Sequence, residues 1–118
     1  MVRIEQLAEA ALNGEGLLLR SLTQDFFREN SRLADIPKPV VNDAPVLAAS
    51  ASLIELFAAR LKQDPPVWTK SIGPLTEPVF LLKAAANMKR LRLLCETESP
   101  EPLRKRGFYA PPNYLEFA

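Results

Sequence analysis

The fold is decided by residues 44–62, which read APVLAASASLIELFAARLK. Apolar side chains occupy nearly every face of this segment, and Glu55 is the only charged residue between Asp43 and Arg60. A helix that is apolar all round is normally buried by neighbours on several sides. Asp43 is a suitable N-cap, and Pro45 is tolerated in the first turn. We therefore expect a helix over 44–62 at the centre of the domain.

Two shorter amphipathic helices are predicted before this segment. Apolar residues recur at helical spacing over 4–12, and Asn13-Gly14 then offers a left-handed stop. A second helix is expected from about 15 to 29, with a stripe formed by Leu18, Leu19, Leu22, Phe26 and Phe27. Prolines 37 and 39 forbid a continuous helix over 30–44, which predicts a long surface connection held down by its apolar residues.

The region after the central helix reads as a loop followed by a long helix. The loop carries Trp68, the only tryptophan, and Thr76 is a suitable N-cap for a helix that runs to about Glu98. A break near Asn87 is an alternative. The predicted buried stripe of this helix consists of Leu81, Ala84, Ala85, Met88, Leu91 and Cys95.

The chain is predicted to form a single all-α domain over 1–118. A short helix is expected from Ser99-Pro100 to Arg106, closed by Gly107, and Pro111-Pro112 begin one final turn. No strand-type alternation of useful length is present, and an apolar fraction of 47% is typical of a globular domain. We expect a compact bundle of about five helices with Pro-rich connectors, and a C-terminal segment, 99–118, that is either a strap or a docking element.

Charge and cysteine content predict a soluble, cytoplasmic protein. The formal net charge is only +1, with a mild basic excess over 83–118, which is far from a nucleic-acid signature. Cys95 is the only cysteine, so no intrachain disulfide can form and a reducing compartment is expected. The N-terminus lacks the apolar core of a signal peptide, and no apolar run approaches the roughly 18 residues of a membrane span.

The residues that usually carry catalysis are missing from this sequence. Histidine is absent, which removes the commonest general base and the commonest metal ligand. The single cysteine lies near a predicted helix C-terminus on an apolar stripe, so we interpret it as a buried structural thiol. We therefore predict a protein that is not an enzyme and that uses no cofactor or metal.

The C-terminal segment, 99–118, is the strongest candidate for a functional element. It combines four prolines, a basic triplet and four aromatic side chains, which must be covered either by a partner or by the chain's own helices. Both alternatives hold if the segment lines the interface of a homodimer. The loop tryptophan, Trp68, likewise either packs on the chain's own core or contacts a partner. The candidate partner-binding residues are Trp68, Arg104, Lys105, Arg106, Phe108, Tyr109, Tyr114 and Phe117.

Two stretches of the C-terminal half resemble small uncharacterised bacterial proteins encoded beside nucleotidyltransferase-type toxin–antitoxin pairs. They run from 65 to 82, PPVWT through PVFLL, and from 100 to 115, PEPLRKR through PNYL. The resemblance includes no catalytic motif, so it transfers no functional residue. It implies an accessory or antitoxin-like protein whose partner is toxin-like or a nucleotidyltransferase.

A DNA-binding transcription regulator is the alternative function. Its contacts would come from two basic clusters, formed by Lys89, Arg90 and Arg92 and by Arg104, Lys105 and Arg106. A solvated helix face is the competing interpretation of these charges, because the net charge is near zero and no helix–turn–helix unit can be placed.

Overall fold

The structure, a computed structural model, describes residues 2–82 and 87–115 of the chain. In that part of the chain there are five α-helices: α1 (Ile4–Leu12), α2 (Gly16–Glu29), α3 (Ala44–Leu61), α4 (Lys89–Glu98) and α5 (Glu101–Arg104). Two short 3₁₀ turns, Leu33–Asp35 and Val67–Ser71, lie in the connections. Two strands of two residues each, β1 (Val79–Phe80) and β2 (Phe108–Tyr109), complete the described elements. The predicted all-α class is confirmed, with this small sheet as an unpredicted addition.

Helix α3 is the central element, as predicted. The Oδ1 atom of Asp43 accepts the N-terminal hydrogen bond from the amide of Val46 at 3.3 Å, and Lys62 ends the helix in the left-handed region at a φ of 57°. Every residue from Ala48 to Ala58 is buried, by α1, α5 and the second 3₁₀ turn among others. Among the described residues α3 alone has the length and hydropathy of a membrane span, and most of it is covered by the protein itself, as in the core helix of a soluble domain.

Helices α1 and α2 form the predicted hairpin, but the buried face of α2 differs from the predicted stripe. Gly14 adopts a φ of 69° between α1 and α2, which is the predicted left-handed stop. On α2 the buried positions are Leu19, Thr23 and Phe26, whereas Leu18 is 46% exposed and does not belong to the stripe. The Thr23 hydroxyl tolerates burial because it donates to the carbonyl of Leu19 at 2.7 Å.

The prediction of one helix from Thr76 to Glu98 is wrong. Val79 and Phe80 instead form β1, which pairs in parallel with β2 through hydrogen bonds from the Val79 amide to the Gly107 carbonyl and from the Leu81 amide to the Tyr109 carbonyl. Helix α4 starts only at Lys89. Leu81 and Cys95 are buried as predicted, but Met88 is exposed; Ala84 and Ala85 lie outside the described residues.

The predicted short helix and turn of the C-terminal segment are present. Helix α5 packs against α3, and Gly107 follows it with a φ of 88°, a backbone conformation that favours glycine. The amide of Tyr114 then donates to the carbonyl of Pro111 at 3.0 Å, which closes the final turn. The segment therefore runs back across the domain as a strap.

Candidate functional site

Two of the aromatic side chains in the described part of the C-terminal segment are covered by the chain's own residues. Phe108 has 0% exposure, and Tyr114 is buried, which raises the pKa of its hydroxyl above the ordinary value. The Ser99 hydroxyl fixes the start of the strap, because it donates to the carbonyl of Phe108 at 3.1 Å and accepts from the amide of Ala110 at 3.3 Å. Phe108 and Tyr114 therefore pack inside the domain. Phe117 lies outside the described residues.

Trp68 likewise takes part in internal packing. Its indole Nε1 donates to the carbonyl of Ile36 at 2.8 Å, and the ring is half-buried against the core. The bond joins the second 3₁₀ turn to the connection between α2 and α3. An indole donor that is already satisfied inside the domain is a structural element rather than an open contact.

The basic triplet after α5 is divided between the interior and the surface. Arg106 follows the fully buried Leu103 by three positions, and its side chain is only 3% exposed. The side chain of Lys105 is 46% exposed, and Arg104 points to solvent. A triplet that reads as one basic cluster in the sequence therefore supplies one buried cation and two surface cations.

The buried cation pairs with Glu55, the lone acidic residue within α3. The two guanidinium nitrogens Nη1 and Nη2 of Arg106 donate to Oε1 and Oε2 of Glu55 at 2.5 and 3.2 Å. Lys105 adds a contact from Nζ to Oε1 at 2.8 Å. Charge-assisted bidentate pairing of this kind gives geometric specificity, so it fixes the strap at one register on α3.

The same guanidinium also ties down the second 3₁₀ turn. Its Nη2 donates to the carbonyl of Thr69 at 2.7 Å, and its Nε donates to the carbonyl of Ile72 at 3.1 Å. Arg106 thus satisfies two backbone acceptors besides Glu55. Three chain segments that are far apart in sequence meet at this one side chain.

The Glu55 carboxyl is expected to make the stability of the protein depend on acidic pH. Burial alone would raise its pKa, but hydrogen bonds from Arg106 and Lys105 and the charge of Arg106 outweigh burial and lower the pKa below its ordinary value of 4.5. A lowered folded-state pKa contributes stability above the unfolded-state pKa, and that stability is lost as the pH falls through the folded-state value. We expect the free energy of unfolding to fall with decreasing pH below about pH 5, and this part of the slope to be absent in Glu55→Gln.

Urea unfolding across a series of acidic pH values measures this slope. Glu77→Gln removes an exposed carboxylate and should keep the slope of the parent protein. Identical slopes in Glu55→Gln and the parent would contradict the assignment.

A second cluster of polar and aromatic side chains lies on the outer face of the small sheet. Phe108 is buried, and its ladder partner Val79 is partly buried against the core. Because side chains alternate along a strand, Phe80 and Tyr109 lie on the opposite face. The rings of Phe80 and Tyr109 lie 5.4 Å apart between centroids. The guanidinium carbon of Arg92, from α4, sits 5.0 Å from the Phe80 centroid, within cation–π range.

This group forms a recess that we call the aromatic surface, defined by Pro78, Phe80, Arg92, Glu96 and Tyr109. The recess has a volume of about 320 Å³, and its Arg92 is held in place by a contact from Nε to the Glu96 Oε1 atom at 3.1 Å. Of the predicted partner-binding residues, only Tyr109 contributes to it. The sequence signal that could have revealed it is the β-type pair Val79–Phe80 directly after a proline, which the predicted helix concealed.

The thiol of Cys95 is buried, as predicted. Its exposure is nil, and burial followed by the charge of Glu96 raises the pKa of the thiol, which disfavours the thiolate. Within residues 2–82 and 87–115, no three His, Cys, Asp or Glu side chains are grouped so that they could hold a metal ion.

Comparison with known proteins found no matching family model, no matching curated protein and no matching solved structure.

Proposed function

We propose that this protein acts by binding another protein through the aromatic surface. The observation that carries the proposal is the partly exposed Phe80–Tyr109 pair with the Arg92 guanidinium beside it. Aromatic residues and arginine are enriched at interfaces and dominate their hot spots. The proposal keeps Tyr109 from the predicted set and replaces the buried aromatics with Phe80.

The aromatic surface is also pre-organised. The backbone of Phe80 is held by the hydrogen bonds of its neighbours Val79 and Leu81 to the strap, and the ion pair with Glu96 orients Arg92. Side chains that are fixed before binding lose less conformational entropy when a partner arrives.

The resemblance to proteins of toxin–antitoxin gene pairs guides the choice of partner. On this basis we propose a non-catalytic, cytoplasmic, bacterial accessory or antitoxin-like protein whose partner is toxin-like or a nucleotidyltransferase. A second copy of the chain is the other candidate, because two aromatic surfaces could pack on each other across a two-fold axis.

Nucleic-acid binding receives less support from the placement of the basic residues. Arg106 is buried in its ion pair, and Arg92 is engaged by Glu96 and the Phe80 ring. Four of the six predicted cations, Lys89, Arg90, Arg104 and Lys105, remain at the surface. DNA contact by these four stays a prediction, and salt-dependent binding to duplex DNA tests it.

Site-specific photo-crosslinking in cells of the source organism tests the proposal. With a benzophenone amino acid at position 109, we expect one discrete adduct, and with the same group at the exposed position 67 we expect none. An adduct of twice the mass of the chain would identify a second copy as the partner. Equal adduct patterns from the two positions would overturn the proposal.

Binding of the purified partner to variants then gives the energetic test. Phe80→Ala and Tyr109→Ala are each expected to weaken binding at least about tenfold, as expected for a hot-spot residue. Leu17→Ala truncates an exposed apolar residue on α2 and should leave the dissociation constant unchanged. Unaltered affinity in both aromatic variants would contradict the assigned surface.

A further inference from the structure

A cavity lined mainly by charged residues opens beside the Glu55–Arg106 ion pair, and neither the course of the strap nor the aromatic surface accounts for it. Its volume is about 290 Å³. It lies where α3, the second 3₁₀ turn and the end of α5 meet. The lining residues are Glu55, Lys70, Ile72, Pro74, Lys105 and Arg106.

The charges around this cavity do not balance. Its lining contains one carboxylate and three cations, a net charge of +2 at neutral pH. Glu55 is already neutralised by the bidentate contact of Arg106, so the charges of Lys70 and Lys105 are in excess. Lining charges of one sign in a concave site focus the potential and attract counter-ions.

The cavity also has N–H donors that no described protein group accepts from. Every nitrogen of the Arg106 guanidinium donates within the protein, so this residue holds the walls together. The Lys105 ammonium donates to Glu55 and has two further N–H groups. The Lys70 side chain makes no hydrogen bond or ion pair to any residue in the described ranges. Donors for a ligand therefore come from two lysines, one in the second 3₁₀ turn and one at the end of α5.

The walls that carry these lysines are fixed in advance. Lys70 lies between Thr69 and Ile72, whose carbonyls both accept from Arg106. Lys105 immediately precedes Arg106 in the chain, so the same buried pair positions both lysine backbones. A site whose backbone is fixed before binding loses less conformational entropy when its ligand arrives.

We propose that this cavity binds a phosphate group in its dianionic form, with Lys70 and Lys105 as the donors. A dianion matches the excess charge of +2, whereas a carboxylate would leave one cation uncompensated. Lysine ammonium groups are common phosphate ligands that act as point charges. The phosphate comes either as the free ion or as a small monoester, and both share this chemistry. The inference is independent of the proposed protein partner.

Backbone amide NMR titration of the full chain tests the site at mildly alkaline pH, where phosphate is a dianion. The titrants are inorganic phosphate, phenyl phosphate and acetate, each at constant ionic strength. We expect saturable shifts at Lys70, Ile72 and Lys105 with the phosphates and none that saturate with acetate. Tighter binding of phenyl phosphate identifies a monoester as the ligand class, and tighter binding of inorganic phosphate identifies the free ion.

Two variants that each remove one lysine charge test which side chains bind the phosphate. Lys70→Gln and Lys105→Gln are each expected to weaken phosphate binding roughly tenfold through loss of one charge-assisted hydrogen bond. Lys38→Gln removes an exposed cation outside the cavity and should bind phosphate like the parent protein. Lys70 has no internal partner within the described residues, so its variant tests the ligand without disturbing the buried pair.

The proposal is overturned if the phosphate shifts do not saturate or if acetate reproduces them. It is equally overturned if Lys38→Gln weakens binding as much as Lys70→Gln, because the effect would then be general charge screening.

Discussion

Replacement of Arg106 by methionine is expected to lower the free energy of unfolding by about 3–5 kcal/mol, the usual result of breaking one side of a buried ion pair. The substitution leaves the Glu55 carboxylate, which is 9% exposed, with Lys105 as its remaining partner. It also removes the donors to the carbonyls of Thr69 and Ile72. An unpaired buried polar group loses its solvation without a replacement bond, so these effects act in the same direction.

Urea unfolding followed by far-ultraviolet circular dichroism and by Trp68 fluorescence measures this loss. Arg104→Met makes the same chemical change on the exposed side of the triplet and should shift stability by no more than about 0.5 kcal/mol. The double variant Glu55→Leu/Arg106→Met should recover part of the loss, because it removes the uncompensated charge as well. Equal stability of Arg106→Met and Arg104→Met would show that the pair does not hold the strap.

Phe108→Ala is expected to destabilise the domain by about 3–5 kcal/mol, the typical effect of truncating a buried phenylalanine. The ring of Phe108 is fully buried, and it lies on the inner face of β2 opposite Val79. Its removal opens a cavity between the strap and the core. The loss combines the transfer free energy of the ring with the incomplete relaxation of its neighbours.

Phe80→Ala provides the matched control, since it truncates the same residue type on the other face of the same ladder. We expect its effect on the free energy of unfolding, measured by urea titration, to be less than half that of Phe108→Ala. Equal losses would contradict the inside–outside assignment of the two rings. Truncation of the chain after Arg106 removes the buried Phe108 and Tyr114 together with Tyr109 of the aromatic surface, so it does not separate folding from partner binding.

The N-terminal half of the fold could be predicted because its signals are local. The N-cap at Asp43, the unbroken apolar surface of α3 and the left-handed glycine at 14 each depend on a few neighbouring residues. The error at Thr76–Glu98 has the opposite cause. Val79 pairs with Phe108, 29 positions away in the ladder register, and a helical spacing pattern contains no information about such a partner.

The candidate sites also combine residues that are distant in sequence, so local signals did not reveal them. Glu55 is the only acidic residue within α3, but no partner was predicted for it from the sequence, although acids are rarely buried unless paired. Arg104, Lys105 and Arg106 were predicted as partner-binding or DNA-binding residues, and only the packing of α5 buries Arg106 against Glu55. The aromatic surface was not predicted, because its residues come mainly from β1, β2 and α4 and the β-type pair Val79–Phe80 was interpreted as part of a helix.

The sequence by itself determined the helical class, the central position of α3 and the local course of the C-terminal strap, because hydrophobic periodicity, capping and proline act within a few residues. The tertiary structure alone decided which aromatics are buried, which cation enters the core and which side chains form a surface recess. Those outcomes depend on contacts between segments that are distant in sequence, because burial and ion pairing at these positions arise only when the chain folds.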